Sequence, residues 1–153
     1  MEGGCTCGEI RYRLNAAPLV VHCCHCTWCQ SMTGTAFILN AWIEADQVEL
    51  ISGDPVEKNV PTPSGGPYTT ASCPTCGITV WGTFGPPIFR FVRAGTLDDA
   101  HKVTPDVHIY TSTKLPWFEL PTNVPVFDEY YRRSEVWKPD HVARYKAALA
   151  AHS

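Results

Sequence analysis

Residues 73–77 read Cys-Pro-Thr-Cys-Gly and residues 5–8 read Cys-Thr-Cys-Gly, and these two stretches give the strongest structural signal in the chain. Two thiolates separated by one or two residues can chelate one ion, and the glycine after each pair lets backbone amides turn toward the sulfurs. The simplest tetrahedral site joins the two pairs across the fold. Four cysteines are therefore predicted to hold a structural zinc ion: Cys5, Cys7, Cys73 and Cys76. The alternative is that these cysteines are buried without a metal.

A second cysteine cluster occupies residues 23–29, which read Cys-Cys-His-Cys-Thr-Trp-Cys. Three protein ligands leave an open position on zinc, which is typical of a catalytic site, and a substrate thiol that binds there would lose its proton. The alternative is a closed structural site whose fourth ligand comes from a neighbouring or distant side chain. Three thiols can surround one ion from this single tight loop, and they are the predicted catalytic zinc ligands: Cys24, Cys26 and Cys29.

Two residues of this second cluster are not among the three predicted ligands. Cys23 neighbours Cys24 on an extended segment, so its side chain points to the opposite face and we predict a small core residue. His25 lies between two ligands and is a candidate catalytic residue, able to hydrogen-bond a ligand or pass protons. The alternative for His25 is a structural histidine fixed by a backbone carbonyl. His108, in a predicted strand, has the same two interpretations.

Composition and charge limit the classes of function. The 153 residues are 44% hydrophobic, which predicts one globular domain spanning residues 1–153. The formal charge is -3 and no basic block is present, so nucleic acid is not an expected partner. The N-terminus lacks an export signal, and the longest apolar run, 36–43, is too short to span a bilayer. We expect a cytoplasmic protein without membrane contact, where clustered thiols more often bind metals than form disulfides.

The patterning predicts a mainly β fold of short strands, because 11 glycines and 13 prolines are spread along the chain. A helical turn is predicted after Cys26, and a short C-terminal helix is predicted after Pro139 with Asp140 as its cap. Residues 61–67, rich in proline and glycine, are predicted to form a surface loop that acts as a plain connector; the alternative is that it borders a ligand site. The predicted strands are 10–14, 19–23, 36–42, 48–52, 68–72, 78–80, 89–93 and 107–110.

Through these motifs the chain resembles the glutathione-dependent formaldehyde-activating enzyme family, to which centromere protein V is also related. The resemblance rests on three cysteine motifs in order and continues into later segments of the chain. Centromere protein V carries an extra basic region with no counterpart in this acidic chain. The stretches that carry the resemblance are 4–8, 24–29, 31–37, 73–77, 108–110 and 114–117.

The resemblance implies a β-tent fold of packed antiparallel sheets with two zinc ions, one held by four cysteines and one by three. It also implies a carbon-sulfur lyase activity that condenses glutathione with formaldehyde to S-(hydroxymethyl)glutathione, or cleaves that adduct. Substrates would then be a small thiol and an aldehyde. Two other functions stay open: a non-catalytic thiol-binding or interaction module with two structural zinc ions, and a redox protein that uses its paired cysteines as a switch.

Binding of glutathione would require cations for its two carboxylates. Arg132 and Arg133 are interpreted as a solvated patch, and Trp117 and Phe118 as core residues. Trp28 either covers the metal loop or touches the substrate. The sequence does not choose among the candidate cations, which are Arg90, Arg93, Lys114, Arg132 and Arg133.

Overall fold

The structure is a computed structural model that describes residues 1–152. It contains ten strands and two sheets within those residues, which confirms the predicted mainly β fold. The strands are β1 (Glu2–Gly4), β2 (Arg11–Leu14), β3 (Val20–Cys24), β4 (Ile38–Glu44), β5 (Val48–Ser52), β6 (Val56–Asn59), β7 (Tyr68–Ser72), β8 (Thr79–Phe84), β9 (Phe89–Arg93) and β10 (Val107–Ile109).

Three α-helices are present in the described chain: α1 (Thr27–Thr33), α2 (Arg133–Val136) and α3 (Pro139–Ala151). The helix predicted after Cys26 is α1, and the predicted C-terminal helix is α3. The predicted cap is wrong, because Lys138 is the N-cap of α3 and Asp140 lies inside its first turn. Pro139 takes the first helical position, where its missing N–H is not needed, so the cap lies two residues earlier than predicted.

The strands form a three-stranded sheet in the order β1-β2-β5 and a seven-stranded sheet in the order β10-β3-β4-β9-β8-β7-β6. All pairings are antiparallel except one: β10 runs parallel to β3, with His108 opposite Cys23 and Ile109 opposite Cys24. The prediction of packed antiparallel sheets therefore holds apart from this edge. β1 and β6 were not predicted, since Glu2–Gly4 has no apolar alternation and every residue of β6 is exposed.

One core cluster contains buried residues from both sheets. Ile10, which precedes β2, and Tyr12 and Leu14 within β2 form the predicted buried face, and all three belong to the same cluster as Val80 and Val92 of the larger sheet. The hydroxyls of Tyr12 and Thr96 form a hydrogen bond of 2.7 Å at the edge of this cluster. Apolar burial of this kind is the main favourable term in folding.

The second core cluster is aromatic and contains the C-terminal segment. Trp42 of β4 packs edge-on against Phe89 of β9 and against Trp137, with ring centroids 5.8 and 5.2 Å apart. Tyr145 of α3 stacks on Phe89 at 5.0 Å. The C-terminal segment is thereby fixed against the face of the seven-stranded sheet that carries Cys24 at its other end. No helix within residues 1–152 has the length and hydropathy of a membrane span.

Candidate functional site

The four cysteines predicted to form one site lie together. Cys5 follows β1, and the 73–76 pair lies in the turn between β7 and β8, so the cluster contains residues from both sheets. The Sγ atoms of Cys5 and Cys7 are 3.4 Å apart, and those of Cys7 and Cys73 are 3.6 Å apart. All four Sγ atoms, including that of Cys76, lie within 4.8 Å of one another. This donor set has the composition of a closed tetrahedral zinc site.

Backbone amides around the four-cysteine cluster favour thiolates. The amide of Ile10 donates a hydrogen bond of 3.2 Å to the Sγ of Cys5. Backbone hydrogen bonds from Ile78 and Cys7 lower the pKa of Cys76 to about 6. Gly77 has a φ of 76°, in the left-handed region that glycine adopts without strain, and this conformation closes the turn after Cys76. The turn and these amides therefore favour the negatively charged sulfurs that a cation binds.

The second predicted set also comes together. Cys24 ends β3, Cys26 is the N-cap of α1, and Cys29 lies in the first turn of that helix. The amide of Cys29 donates a hydrogen bond of 3.3 Å to the Sγ of Cys26, and the Sγ atoms of Cys24 and Cys29 are 3.5 Å apart. All three Sγ atoms lie within 4.8 Å of one another. Three soft donors of this kind fit zinc with one position left for another ligand.

The three thiols of this second set titrate differently. Hydrogen bonds from the Cys24 and Cys29 thiols, together with backbone amides of Cys29 and Trp28, lower the pKa of Cys26 to about 3. The hydrogen bond to Cys26 raises the pKa of Cys24 to about 12, and bonds to the other two thiols raise the pKa of Cys29. A cation that binds all three sulfurs must therefore displace protons from Cys24 and Cys29.

Two cavities reach the three-cysteine cluster. The first, of about 530 Å³, is lined by Cys24 and Cys29 and otherwise mainly by aromatic side chains. The second, of about 440 Å³, is lined by all three cysteines and by Thr62, Pro63 and Ser64. Residues 61–67, interpreted from the sequence as a plain connector, thus border this site. Trp28 lines both cavities, and its Nε1 donates a hydrogen bond of 2.9 Å to the carbonyl of Pro61.

Tyr110 lines both cavities. It belongs to the stretch 108–110 that carries the family resemblance, but no functional role was predicted for it. Its φ is 53°, and it is the only residue other than glycine with a positive φ in the described chain. Burial raises the pKa of its hydroxyl, and the charges of Cys24 and Cys26 raise this pKa further. The hydroxyl therefore keeps its proton near neutral pH. The left-handed backbone of a tyrosine is strained, and such strain is common at functional sites.

A model of the family described as glutathione-dependent formaldehyde-activating enzyme matches residues 1–113. The chain belongs to this family. The resemblance predicted from the cysteine motifs is confirmed. No curated protein matches the chain. A solved protein from Rhodobacter sphaeroides is 19% identical, with a TM-score of 0.50 over 69% of this chain and 92% of its own, which supports the fold alone.

All eight cysteines of this member of the formaldehyde-activating family lie within the matched residues, but part of the first cavity does not. Tyr130, Arg133, Tyr145 and Leu149 line that cavity and come from the last 40 residues of the chain. The family match therefore covers the cysteine clusters and leaves this wall of the cavity unassigned.

Cys23, His25 and His108 form a third group on the other side of β3 in this family member. The Nε2 of His25 lies 3.5 Å from the Sγ of Cys23 and 2.9 Å from the Nδ1 of His108, and all three residues are buried. Cys23 is buried as predicted, although its polar neighbour is a histidine. The backbone carbonyl of His25 accepts hydrogen bonds from Gln30 and Thr113. The His25 ring makes no hydrogen bond to the three-cysteine cluster.

Of the cations considered for a substrate carboxylate, Arg133 alone among the described residues lines a cavity at the three-cysteine cluster. The interpretation of Arg133 as part of a solvated patch is therefore wrong, whereas Arg132 is exposed. Arg90 stacks on Trp81, and Arg93 donates hydrogen bonds to Asn40 and Tyr68. Lys114 donates to the carbonyl of Phe118.

The two aromatic residues interpreted as core residues have different environments. Trp117 is 70% exposed, so its prediction is wrong. Phe118 is half-buried, and its ring centroid lies 4.9 Å from that of His25 and 5.3 Å from that of Phe37. The prolines and the short turn around these residues give no periodicity from which the two environments could have been distinguished.

Proposed function

We propose that this protein is a zinc-dependent enzyme of carbon-sulfur lyase type that forms or cleaves adducts between a small thiol, such as glutathione, and an aldehyde, such as formaldehyde. The observation that carries the proposal is the three-cysteine cluster at the meeting of two cavities. Its three sulfurs leave a position that a substrate in either cavity can approach. Family membership supports a glutathione- and formaldehyde-related role.

We propose two zinc ions with different roles, one structural and one catalytic. The four-cysteine cluster, with its full set of sulfurs, would hold a structural ion between the two sheets. The three-cysteine cluster would hold the catalytic ion through Cys24, Cys26 and Cys29. When bound there, zinc lowers the pKa of an incoming thiol and holds the thiolate ready for attack. We further propose one domain and a cytoplasmic location, which keeps these thiols reduced.

The reaction is balanced without an oxidant. The sulfur of the thiol forms a bond to the carbonyl carbon, the carbon–oxygen π bond breaks, and the thiol proton ends on the oxygen as a hydroxyl. Two cavities that meet at the cluster would hold the thiol and the aldehyde close together, which favours the encounter. Tyr110 lines both cavities, and its protonated hydroxyl is our candidate donor to the carbonyl oxygen. His25 stays a weaker candidate for proton transfer.

The test is a titration of the cobalt-substituted protein with glutathione, monitored by the ligand-field absorption of the tetrahedral thiolate sites. We expect a saturable change that is lost in Cys26→Ser and retained in Cys23→Ala, a matched control on the opposite face of β3. An unchanged spectrum in the parent protein would contradict the proposal and favour a non-catalytic module with two closed zinc sites.

Turnover needs a separate measurement because thiols and formaldehyde also combine spontaneously. Exchange between free glutathione and its hydroxymethyl adduct can be measured by NMR at equilibrium. We expect the zinc-loaded protein to accelerate this exchange and Cys26→Ser to abolish the acceleration. Exchange that is equally fast with and without the protein would exclude the lyase activity on this pair of substrates.

A further inference from the structure

The first cavity has the walls of an apolar pocket. Its volume of about 530 Å³ exceeds the roughly 150 Å³ of a cavity that holds benzene. Cys24 and Cys29 line one part of it, so a thiol bound at the cluster would extend its remaining atoms into this space. Aromatic side chains supply much of the surface, among them Trp28, Trp42, Tyr68, Phe89, Phe91 and Tyr145.

Several polar groups on these walls already have partners within the protein. The Tyr68 hydroxyl accepts a hydrogen bond of 2.8 Å from Nη2 of Arg93, and the Asn40 side-chain oxygen accepts one from the same guanidinium. The Nε2 of His22 is 2.6 Å from the Tyr131 hydroxyl. These groups can therefore contribute little to a highly polar ligand without losing an internal hydrogen bond.

Arg133 is the one lysine or arginine among the described residues that line this cavity, and it has a nitrogen without a hydrogen-bond partner, as Trp42 has at its Nε1. Its guanidinium carbon lies 4.2 Å from the ring centroid of Tyr145, and it is also within 6 Å of the rings of Trp42 and Trp137. Its Nε is buried without a hydrogen-bond partner, and it forms no ion pair with any carboxylate of residues 1–152. A guanidinium fixed by aromatic rings and lacking an anion is suited to bind one carboxylate.

Glutathione matches this arrangement poorly. It carries two carboxylates and one ammonium group, whereas the first cavity offers one cation, Arg133. The second cavity is lined by Glu129 and by no lysine or arginine of the described chain, so it supplies nothing to neutralise a second carboxylate. Arg133 and Tyr145 also lie outside the residues that the family model matches. The charge balance thus favours a less polar ligand.

On the basis of the proposed function, we propose that the thiol substrate of this enzyme is a compact aromatic or branched apolar thiol that carries a single carboxylate. The sulfur would lie at the three-cysteine cluster, the apolar body in the first cavity and the carboxylate on Arg133. Burial of the apolar body supplies affinity, and the bidentate contact with Arg133 supplies orientation. Glutathione is then a weak substitute for the natural thiol.

The experiment compares three probes on the cobalt-substituted, full-length protein: 4-(mercaptomethyl)benzoate, benzyl mercaptan and glutathione. We expect 4-(mercaptomethyl)benzoate to saturate the ligand-field change at a concentration at least tenfold below that of glutathione. Arg133→Met should weaken binding of 4-(mercaptomethyl)benzoate by about tenfold and leave benzyl mercaptan unchanged, because only the former has a carboxylate. Arg132→Met, which removes a neighbouring exposed charge, should change neither.

The outcomes separate this inference from the function on which it rests. If glutathione saturates at an equal or lower concentration than 4-(mercaptomethyl)benzoate, the substrate class is wrong and the proposed function stands. If no thiol changes the spectrum, the proposed function is overturned as well. Unaltered binding of benzyl mercaptan to Arg133→Met shows that the variant is folded. If Arg133→Met then binds 4-(mercaptomethyl)benzoate as the parent does, the assigned role of Arg133 is excluded.

Discussion

Proton occupancy distinguishes the thiols of the Cys24–Cys26–Cys29 cluster before any metal binds. Cys26 is the acceptor in the cluster: the amide of Cys29 and the other two thiols all favour its charged form. Cys24 and Cys29 keep their protons chiefly because they donate hydrogen bonds within the cluster, Cys24 to the sulfur of Cys26 and Cys29 to the sulfurs of Cys24 and Cys26. Cys26 is therefore the first sulfur available to an arriving cation, and the other two become ligands only as their protons leave.

Replacement of Cys26 by serine should remove one metal ion and leave the protein folded. Serine is a good N-cap, so α1 keeps the hydrogen bond that the Cys26 side chain accepts from the amide of Cys29. We expect the zinc content to fall by one ion and the melting temperature to change by less than about 5 °C. Elemental analysis and a thermal scan check this. An unfolded variant would instead indicate that the second site is structural.

His22 should make the stability of the protein depend on pH. Burial, followed by the charge of Arg133, lowers the pKa of His22 from 6.5 to about 4. Between these values the unfolded chain binds a proton that the folded chain does not, so stability is lost as the pH falls through this window. The slope from this residue is at most about 1.4 kcal/mol per pH unit.

The variant His22→Gln tests this slope and keeps a polar side chain beside the Tyr131 hydroxyl. Denaturant unfolding of both proteins should be measured from pH 7 to 4. Metal ligands titrate in both proteins, so the difference between the two curves isolates His22. A difference that does not change with pH would show that the pKa of His22 is the same in the folded and unfolded protein, and would contradict the prediction.

Among single residues, the sequence identified the site residues that belong to a local motif and missed those that do not. The spacing of Cys24, Cys26 and Cys29 within six residues is sufficient to predict their proximity. Arg133 and Tyr110 reach the same cavity from distant parts of the chain, and no local spacing of residues relates either of them to the cysteines. The charge of Arg133 next to Arg132 is typical of a solvated face, and only packing against Tyr145 reveals its burial.

Among the elements, α1 is the short helix on which the three-cysteine cluster depends. It has seven residues, begins at the Cys26 cap and ends at Gly34, which has a φ of 66° and donates its amide to the carbonyl of Gln30. A helix this short has little intrinsic stability, so its caps and its packing hold it. The position of Cys29 relative to Cys26 therefore depends on both ends of α1.

Gly34→Ala should destabilise the protein by about 1 kcal/mol, because alanine is strained in the left-handed conformation at the end of α1. No atom lies within 4 Å of the position of its Cβ, so the cost is conformational and not steric. Gly95 also has open space around it and no positive φ, so Gly95→Ala is a matched control that should not destabilise the protein. Equal free energies of unfolding for both variants would contradict this explanation.

Strand prediction succeeded where one face is buried and failed where it is not. Ile10, Tyr12 and Leu14 alternate with polar residues, and the structure buries all three. β6 has no buried residue and pairs only with β7 at the edge of the sheet, so its sequence carries no periodic signal. The parallel pairing of β10 with β3 could not be predicted from the sequence either, since it depends on a contact between segments far apart in the chain.

For the molecule as a whole, the four-cysteine cluster connects elements that share few other contacts. Cys5 follows β1 of the small sheet, and Cys73 and Cys76 flank the turn between two strands of the large sheet. A bound ion there joins the two sheets. The meeting of the two cysteine pairs was predictable from ligand chemistry alone, whereas the cavity walls were not, because they are built from several separate regions of the chain.

Cys76→Ser should unfold the protein or lower its free energy of unfolding by more than about 4 kcal/mol, because loss of a structural metal removes binding energy that is also folding energy. Circular dichroism and metal analysis of the purified variant provide the measurement. Cys26→Ser is the matched comparison, with one thiol lost from the other cluster. A Cys76→Ser protein with unchanged zinc content and melting temperature would exclude a metal at this cluster.

The parallel pairing of β10 with β3 also determines when the site is completed during synthesis. Cys24, Cys26 and Cys29 leave the ribosome long before Tyr110, and the pairing of His108 with Cys23 must close a loop of the intervening chain. Until β10 has been synthesised and pairs with β3, the three thiols lie at an unpaired sheet edge, where both metals and oxidants can reach them. Metal loading of the growing chain would therefore protect these cysteines before the cavity that later shields them exists.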